Sequence, residues 1–135
     1  MAKGLALNIG LNSVNPDHYQ GWSAPLTACE ADALDMAGIA RSRGFKAKVL
    51  LTRKATRNAV LKALKDAAVK LRPGDIFLLS YSGHGGQLPD LNSDEETDAQ
   101  DETWCLYNGE LVDDEIYQAL AKFTKGVRLL FISLF

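Results

Sequence analysis

The 135-residue chain holds two histidines, and one of them, His84, lies in Ser82-Gly83-His84-Gly85-Gly86. Glycines on both sides remove side-chain bulk, so a substrate can approach the imidazole and the adjacent N–H groups closely. An imidazole presented in this way suits the general base of Ser- or Cys-dependent acyl transfer. A lone loop histidine more often serves structure. Here the apolar run Ile76–Tyr81 comes just before it and places it at a strand end, where open α/β folds collect their chemistry. His18, in Pro16-Asp17-His18-Tyr19, has no such setting and reads as surface.

The other reactive side chains are dispersed. His18, Cys29, His84 and Cys105 have no paired spacing, which argues against zinc. Asp90, Asn92 and Asp94 match the first ligand spacing of an EF-hand loop. Glu95 stands where that loop needs glycine, so an EF-hand is rejected. Asp98, Asp101, Asp113 and Asp114 are numerous enough for a hard cation bound in another geometry, and equally suit a solvated acidic face. Cys29 and Asp32 are three residues apart and share a helix face. Alone, Cys29 reads as a small buried hydrophobe, and Asp32 as a first-turn acid favoured by the helix dipole. Cys105, within a short apolar strand, reads as buried and inert.

Alternating elements must position these groups. Gly4–Leu11 reads as a buried strand. Cys29, Ala33, Met36, Ala37 and Ala40 recur at helical spacing from Leu26 onward, with Gly44 past the helix end. Phe45–Leu51 is a second strand. Thr56 caps a second helix carrying Val60, Leu61, Leu64, Ala68 and Leu71, and Pro73-Gly74 ends it. Ile76–Tyr81 is a third strand. Trp104–Tyr107 and Glu110–Val112 form a hairpin in which Asn108-Gly109 supplies the positive-φ pair of a type I′ turn. Asp113 caps a third helix, Asp114–Phe123, and Val127–Phe135 is a fourth strand. The order predicts one α/β domain over residues 1–135, with a mostly parallel sheet and helices on both faces. No GxGxxG or P-loop follows the first strand, and no Asp ends the third, which disfavours nucleotide-binding and phospho-receiver readings.

Composition narrows the class. Hydrophobic residues make up 47% and charged residues 24%, which supports a packed core. Two cysteines are too few for a disulfide framework and point to a reducing, cytoplasmic setting. The N-terminal apolar run is too short and polar for a signal peptide, and none approaches a membrane span. The net charge of −2 conceals an asymmetry. Residues 1–72 carry 12 Lys/Arg and 5 Asp/Glu, whereas residues 73–121 carry 12 acids and no Lys or Arg. An acidic block of this kind suits a solvated face, a cation site or an attractor for basic substrates, and it disfavours nucleic acid.

Four segments resemble the caspase-like cysteine peptidases, nearest to metacaspases and the bacterial orthocaspases: Ala6–Asn12 (ALNIGLN), Leu26–Ala33 (LTACEADA), Ile76–Gln87 (IFLLSYSGHGGQ) and the acidic stretch Asp94–Glu115. The likeness spans about residues 3–133, and YSGHGGQ is its most specific part. It implies a three-layer caspase-like fold, here a p20-like region incomplete at its C-terminal edge. It also implies that His84 is the base of a Cys–His dyad and that the Gly85 N–H helps hold the oxyanion. Cys29, Asp32 and Ser82 would line a pocket for the Arg or Lys side chain preceding the cleaved bond. The chemistry would need no cofactor, with activating calcium at Asp101, Asp113 and Asp114.

The sequence departs from the family at one place. Caspase spacing puts the nucleophilic cysteine about 50 residues after the histidine, just past the last residue here. Leu134 and Phe135 occupy positions where the family's Asp and Ser precede that cysteine. The expectation is an inactive form. Either it is the front portion of a peptidase, or it is a nucleophile-less homologue that binds basic peptides or responds to calcium. The exposed last strand would then be open to self-association or a partner.

Overall fold

Leu5, Leu7 and Ile9 alternate with Ala6, Asn8 and Gly10 along the first strand, and this alternation sorts the two faces of the domain. A computed structural model describes residues 3–19, 21, 23, 25–85 and 103–134, apart from the side chains of Asp113 and Leu134. β1 (Gly4–Gly10) is flanked by β2 (Lys46–Leu51) and β3 (Ile76–Ser82), with β6 (Arg128–Leu134) beyond β3. The order is β2-β1-β3-β6, and every pairing is parallel. A separate antiparallel hairpin joins β4 (Thr103–Leu106) to β5 (Gly109–Val112).

Among the described residues, three α-helices complete the layers: α1 (Cys29–Ser42), α2 (Arg57–Lys70) and α3 (Asp113–Leu120). The step from β1 to β2 goes one way along the sheet, and the step from β2 to β3 goes the other. Right-handed crossovers therefore lay α1 and α2 on opposite faces. The packing follows that division. Ala40 of α1 meets Ala6 and Leu78 on one face. Val60 and Leu64 of α2 join Leu7, Ile9, Leu79 and Tyr81 on the other, together with Trp104, Leu106 and Leu111 of the hairpin.

The face under α1 is lined by small residues. Ala33, Ala37 and Ala40 of the helix are buried, and a Cβ at Gly10 would overlap the Cys29 carbonyl. The helix therefore rides close to the sheet, and its first turn sits at the ends of β1 and β3.

Most elements lie where the residue pattern places them, including the Thr56 cap, whose Oγ1 accepts the Ala59 N–H at 3.2 Å. Two local expectations are corrected. The hairpin is not a type I′ turn on Asn108-Gly109. Leu106 pairs with Gly109, so the two loop residues are Tyr107 and Asn108, and Asn108 has no positive φ. The Asn108 carboxamide instead accepts the Arg57 N–H at 2.9 Å, binding the hairpin to the start of α2. Asp113 is the first residue of α3 rather than its cap. Glu115 reaches back to accept the Val112 N–H at 3.2 Å, and the helix stops at Leu120.

Among the described residues β6 pairs on one side only, and Leu130 and Ile132 are 52% and 36% exposed. No helix of the described residues is long and apolar enough to cross a membrane.

At the opposite end of the sheet, buried Asp75 ties three strand starts together. Its carboxylate accepts the N–H groups of Lys3 and Arg72, each at 2.8 Å, and its carbonyl accepts the Arg128 N–H at 2.9 Å. The bond from Lys3, then that from Arg72, holds the carboxyl below its ordinary value of 3.8. A depressed carboxyl pKa contributes stability that is complete above the ordinary value and is lost as pH falls through the folded one. Asp75→Asn should therefore destabilise the chain at pH 7, and the deficit should shrink as pH drops below the carboxylate range. Urea unfolding at a series of pH values measures it, and parallel pH profiles would refute it.

Candidate active site

Ligand crevices of open parallel sheets form at the carboxyl ends of two adjacent strands whose connections leave in opposite directions. β1 and β3 are that pair, since β1 leads toward β2 and β3 toward β6. Gly10 and Ser82 are register partners at their ends, and the Leu11 N–H donates to the Ser82 carbonyl at 3.0 Å.

The first turn of α1 lies over this point. The Ser82 hydroxyl donates to Asp32 Oδ2 at 2.8 Å. Cys29 is buried on the same turn, with its carbonyl against Gly10. The structure thus gathers Cys29, Asp32 and Ser82 at the crevice, two residues before His84. Asp32 is more than a first-turn acid, because a hydroxyl from the neighbouring strand holds its carboxylate.

Residues that the sequence reading passed over brace this turn. Ala28 supplies no side-chain cap to α1. Asn12 does that work, its Oδ1 accepting the Glu30 N–H at 3.0 Å and its carbonyl accepting the Leu26 N–H at 2.6 Å. The Thr52 hydroxyl accepts the Asn12 N–H at 3.0 Å and donates to Glu30 Oε2 at 2.5 Å. Thr52 has a φ of 38°, a costly conformation for a β-branched residue, and it stands at the carboxyl end of β2. Asn12 right after a strand and Glu30 in a first helical turn were the available signals, but only the fold brings Thr52 to them.

His84 is half-buried, and its backbone is gripped from below. The His84 carbonyl accepts the Tyr81 hydroxyl at 2.5 Å and the Cys105 N–H at 3.1 Å. The Cys105 thiol donates to the Gly85 carbonyl at 3.1 Å. The Tyr81 ring stacks on Trp104 with centroids 4.6 Å apart, and Trp104 meets Phe131 edge-on at 5.5 Å. A Cβ at Gly83 would fall 2.7 Å from the Tyr81 hydroxyl oxygen, so this glycine makes room below the loop as well as above it. Cys105 is fully buried, and burial, then Glu110, pushes its thiol up to about 12. It is therefore a permanent donor and a poor nucleophile.

The acidic residues separate differently. Asp101 lies outside the described residues, as does the side chain of Asp113, and Asp114 is exposed in the first turn of α3. Among the described residues, no three His, Cys, Asp or Glu side chains gather closely enough to hold a metal ion.

Comparison with known proteins gives a consistent result. The family model of the caspase domain matches residues 3–133. Metacaspase-1 of Eremothecium gossypii is 37% identical over 92% of the chain, and Metacaspase-1 of Schizosaccharomyces pombe is 33% identical over 89%. The chain spans only 29% and 30% of those two proteins. The crystal structure of protein GSU0716 from Geobacter sulfurreducens superposes with a TM-score of 0.88 at 59% identity. That match covers 97% of this chain and 49% of that one.

The Asn12 brace yields a measurable expectation. Asn12→Ala leaves the Glu30 N–H without its acceptor and should cost about 0.5–2 kcal/mol in urea unfolding, the usual range for a lost helix cap. A loss below about 0.3 kcal/mol would show that water replaces the cap at no cost.

Proposed function

The chain belongs to the caspase-domain family, and from that premise we propose that it is the base- and pocket-bearing portion of a cysteine endopeptidase cleaving after arginine or lysine. The observation that carries the reading is the 2.8 Å bond from Ser82 to Asp32, two residues before His84 at the β1/β3 crevice. A carboxylate oriented by a hydroxyl is a suitable partner for a guanidinium or ammonium group. The acidic run of residues 73–121 would draw a basic peptide toward it.

In this reading His84 takes the proton of a cysteine thiol, and the thiolate attacks the peptide carbonyl. The Gly85 N–H meets the developing oxyanion. His84 then returns the proton to the leaving amine, and water releases the acyl group. Neither cysteine of the chain suits the attacking role. Cys29 belongs to the pocket wall, and Cys105 is fully buried, protonated and engaged with the Gly85 carbonyl. The nucleophile is a residue that these 135 positions do not supply, so they bind substrate without turning it over.

Titration calorimetry with a peptide ending in arginine, and the same peptide ending in citrulline, tests this. Loss of one charge-assisted bond is worth about tenfold in affinity. The arginine peptide should bind about tenfold more tightly, and Asp32→Asn should erase the difference. Equal affinities would refute the basic specificity. An arginine fluorogenic peptide should remain uncut by the chain, and turnover lost in His84→Ala would refute the assignment of the nucleophile elsewhere.

Calcium at Asp101, Asp113 and Asp114 belongs to the same proposal and rests on the family likeness. Only Asp114 of the three has a described side chain, so no step of the chemistry is routed through the ion. Millimolar calcium should raise the melting temperature, and Asp113→Ala/Asp114→Ala should abolish the rise. An unchanged wild-type melting curve would refute it.

A further inference from the structure

Three donors converge on two consecutive carbonyls of the histidine loop. The Tyr81 hydroxyl and the Cys105 N–H both donate to the His84 carbonyl, and the Cys105 thiol donates to the Gly85 carbonyl. The Cys105 N–H is also 3.2 Å from the Tyr81 oxygen, which closes the cluster. Both residues are fully buried, and the flat stack of Tyr81 on Trp104 fixes where the phenol ends.

A trans peptide is planar, with its C=O and N–H pointing in opposite directions. Among the described residues no peptide bond is cis. The His84 carbonyl is drawn into the Tyr81–Cys105 layer, so the Gly85 N–H of the same peptide plane points the opposite way, away from the Tyr81 hydroxyl and the Cys105 N–H. The bond from the Cys105 thiol fixes the next peptide plane as well. Gly85 is thus held on both sides without contributing a side chain.

We propose that Tyr81 and Cys105 are positioning residues, which aim the Gly85 N–H and set the backbone from which the His84 imidazole projects. This rests on the peptidase reading for its purpose, but the grip itself is a property of the loop. Preorganised donors are effective in acyl transfer because they need no reorientation as charge develops. A hydroxyl and a thiol anchored in an apolar layer provide that rigidity from beneath. Cys105 acts through its S–H, and the raised thiol pKa keeps that proton in place.

NMR spectroscopy of the 135-residue chain tests the grip. Tyr81→Phe keeps the ring and its stacking and removes only the hydroxyl. It should shift the Gly85 amide resonance and the His84 ring resonances, while those of exposed His18 stay in place. Cys105→Ala should shift the same signals, and Cys105→Ser, which keeps a donor, should restore them toward the wild-type positions. Gly83→Ala, by displacing the Tyr81 hydroxyl, should reproduce the Tyr81→Phe pattern. A general loss of stability would move His18 and distant amides too and would not be rescued by serine. Gly85 and His84 signals unchanged in Tyr81→Phe and Cys105→Ala would overturn the proposal. Wild-type binding of the arginine peptide tests the peptidase reading separately, so each claim can fail without the other.

Discussion

The close approach of α1 to β1 is the constraint on which the site depends. Gly10 has no side chain, so the Cys29 carbonyl can rest on the strand, and the alanines of α1 keep the helix low along its length. Any Cβ at Gly10 would lift the first turn. Asp32 would then lose the Ser82 hydroxyl, and the pocket would lose the carboxylate orientation that suits it to a cation. Asn12, Thr52 and Glu30 hold the same turn from the side, and the left-handed φ of Thr52 shows that the brace is kept against a local backbone cost.

The opposite face of the sheet is built differently. It is large and aromatic where the α1 face is small. Tyr81, Trp104 and Phe131 form an aromatic layer between the sheet and the hairpin, and the hairpin in turn is tied to the body. Arg57 binds both oxygens of Glu115 at 2.9 and 2.6 Å and the Glu110 carbonyl at 2.5 Å, while Tyr19 donates to the Leu106 carbonyl at 2.7 Å. The histidine loop lies where these two constructions meet. One provides the pocket carboxylate, and the other grips the carbonyls beneath the base.

Much of this was legible in the residues. Parallel architecture follows from alternating apolar runs and helical periods, and the strands and helices fall within a few residues of their expected places. The departures are local and share a physical cause. Asn108 lies in a loop whose register is set by Trp104–Leu111 packing and by the Arg57 N–H, so the Asn-Gly preference for a type I′ turn is overridden. Asp113 yields its capping role because Glu115, held by Arg57, is already turned back toward the Val112 N–H.

The sequence by itself determined the chemistry available: one histidine between glycines after a buried strand, a Cys–Asp pair at a helix start, and an acidic stretch. Residue type and short spacing carry that information, because helical and strand periods depend only on near neighbours. Tertiary structure alone decided which groups meet. Ser82 reaches Asp32 across 50 positions, Thr52 reaches Glu30 across 22, and Cys105 reaches Gly85 across 20. Such contacts follow from strand order and from how closely a helix approaches the sheet. These are set by packing over the whole core, so no local run of residues records them.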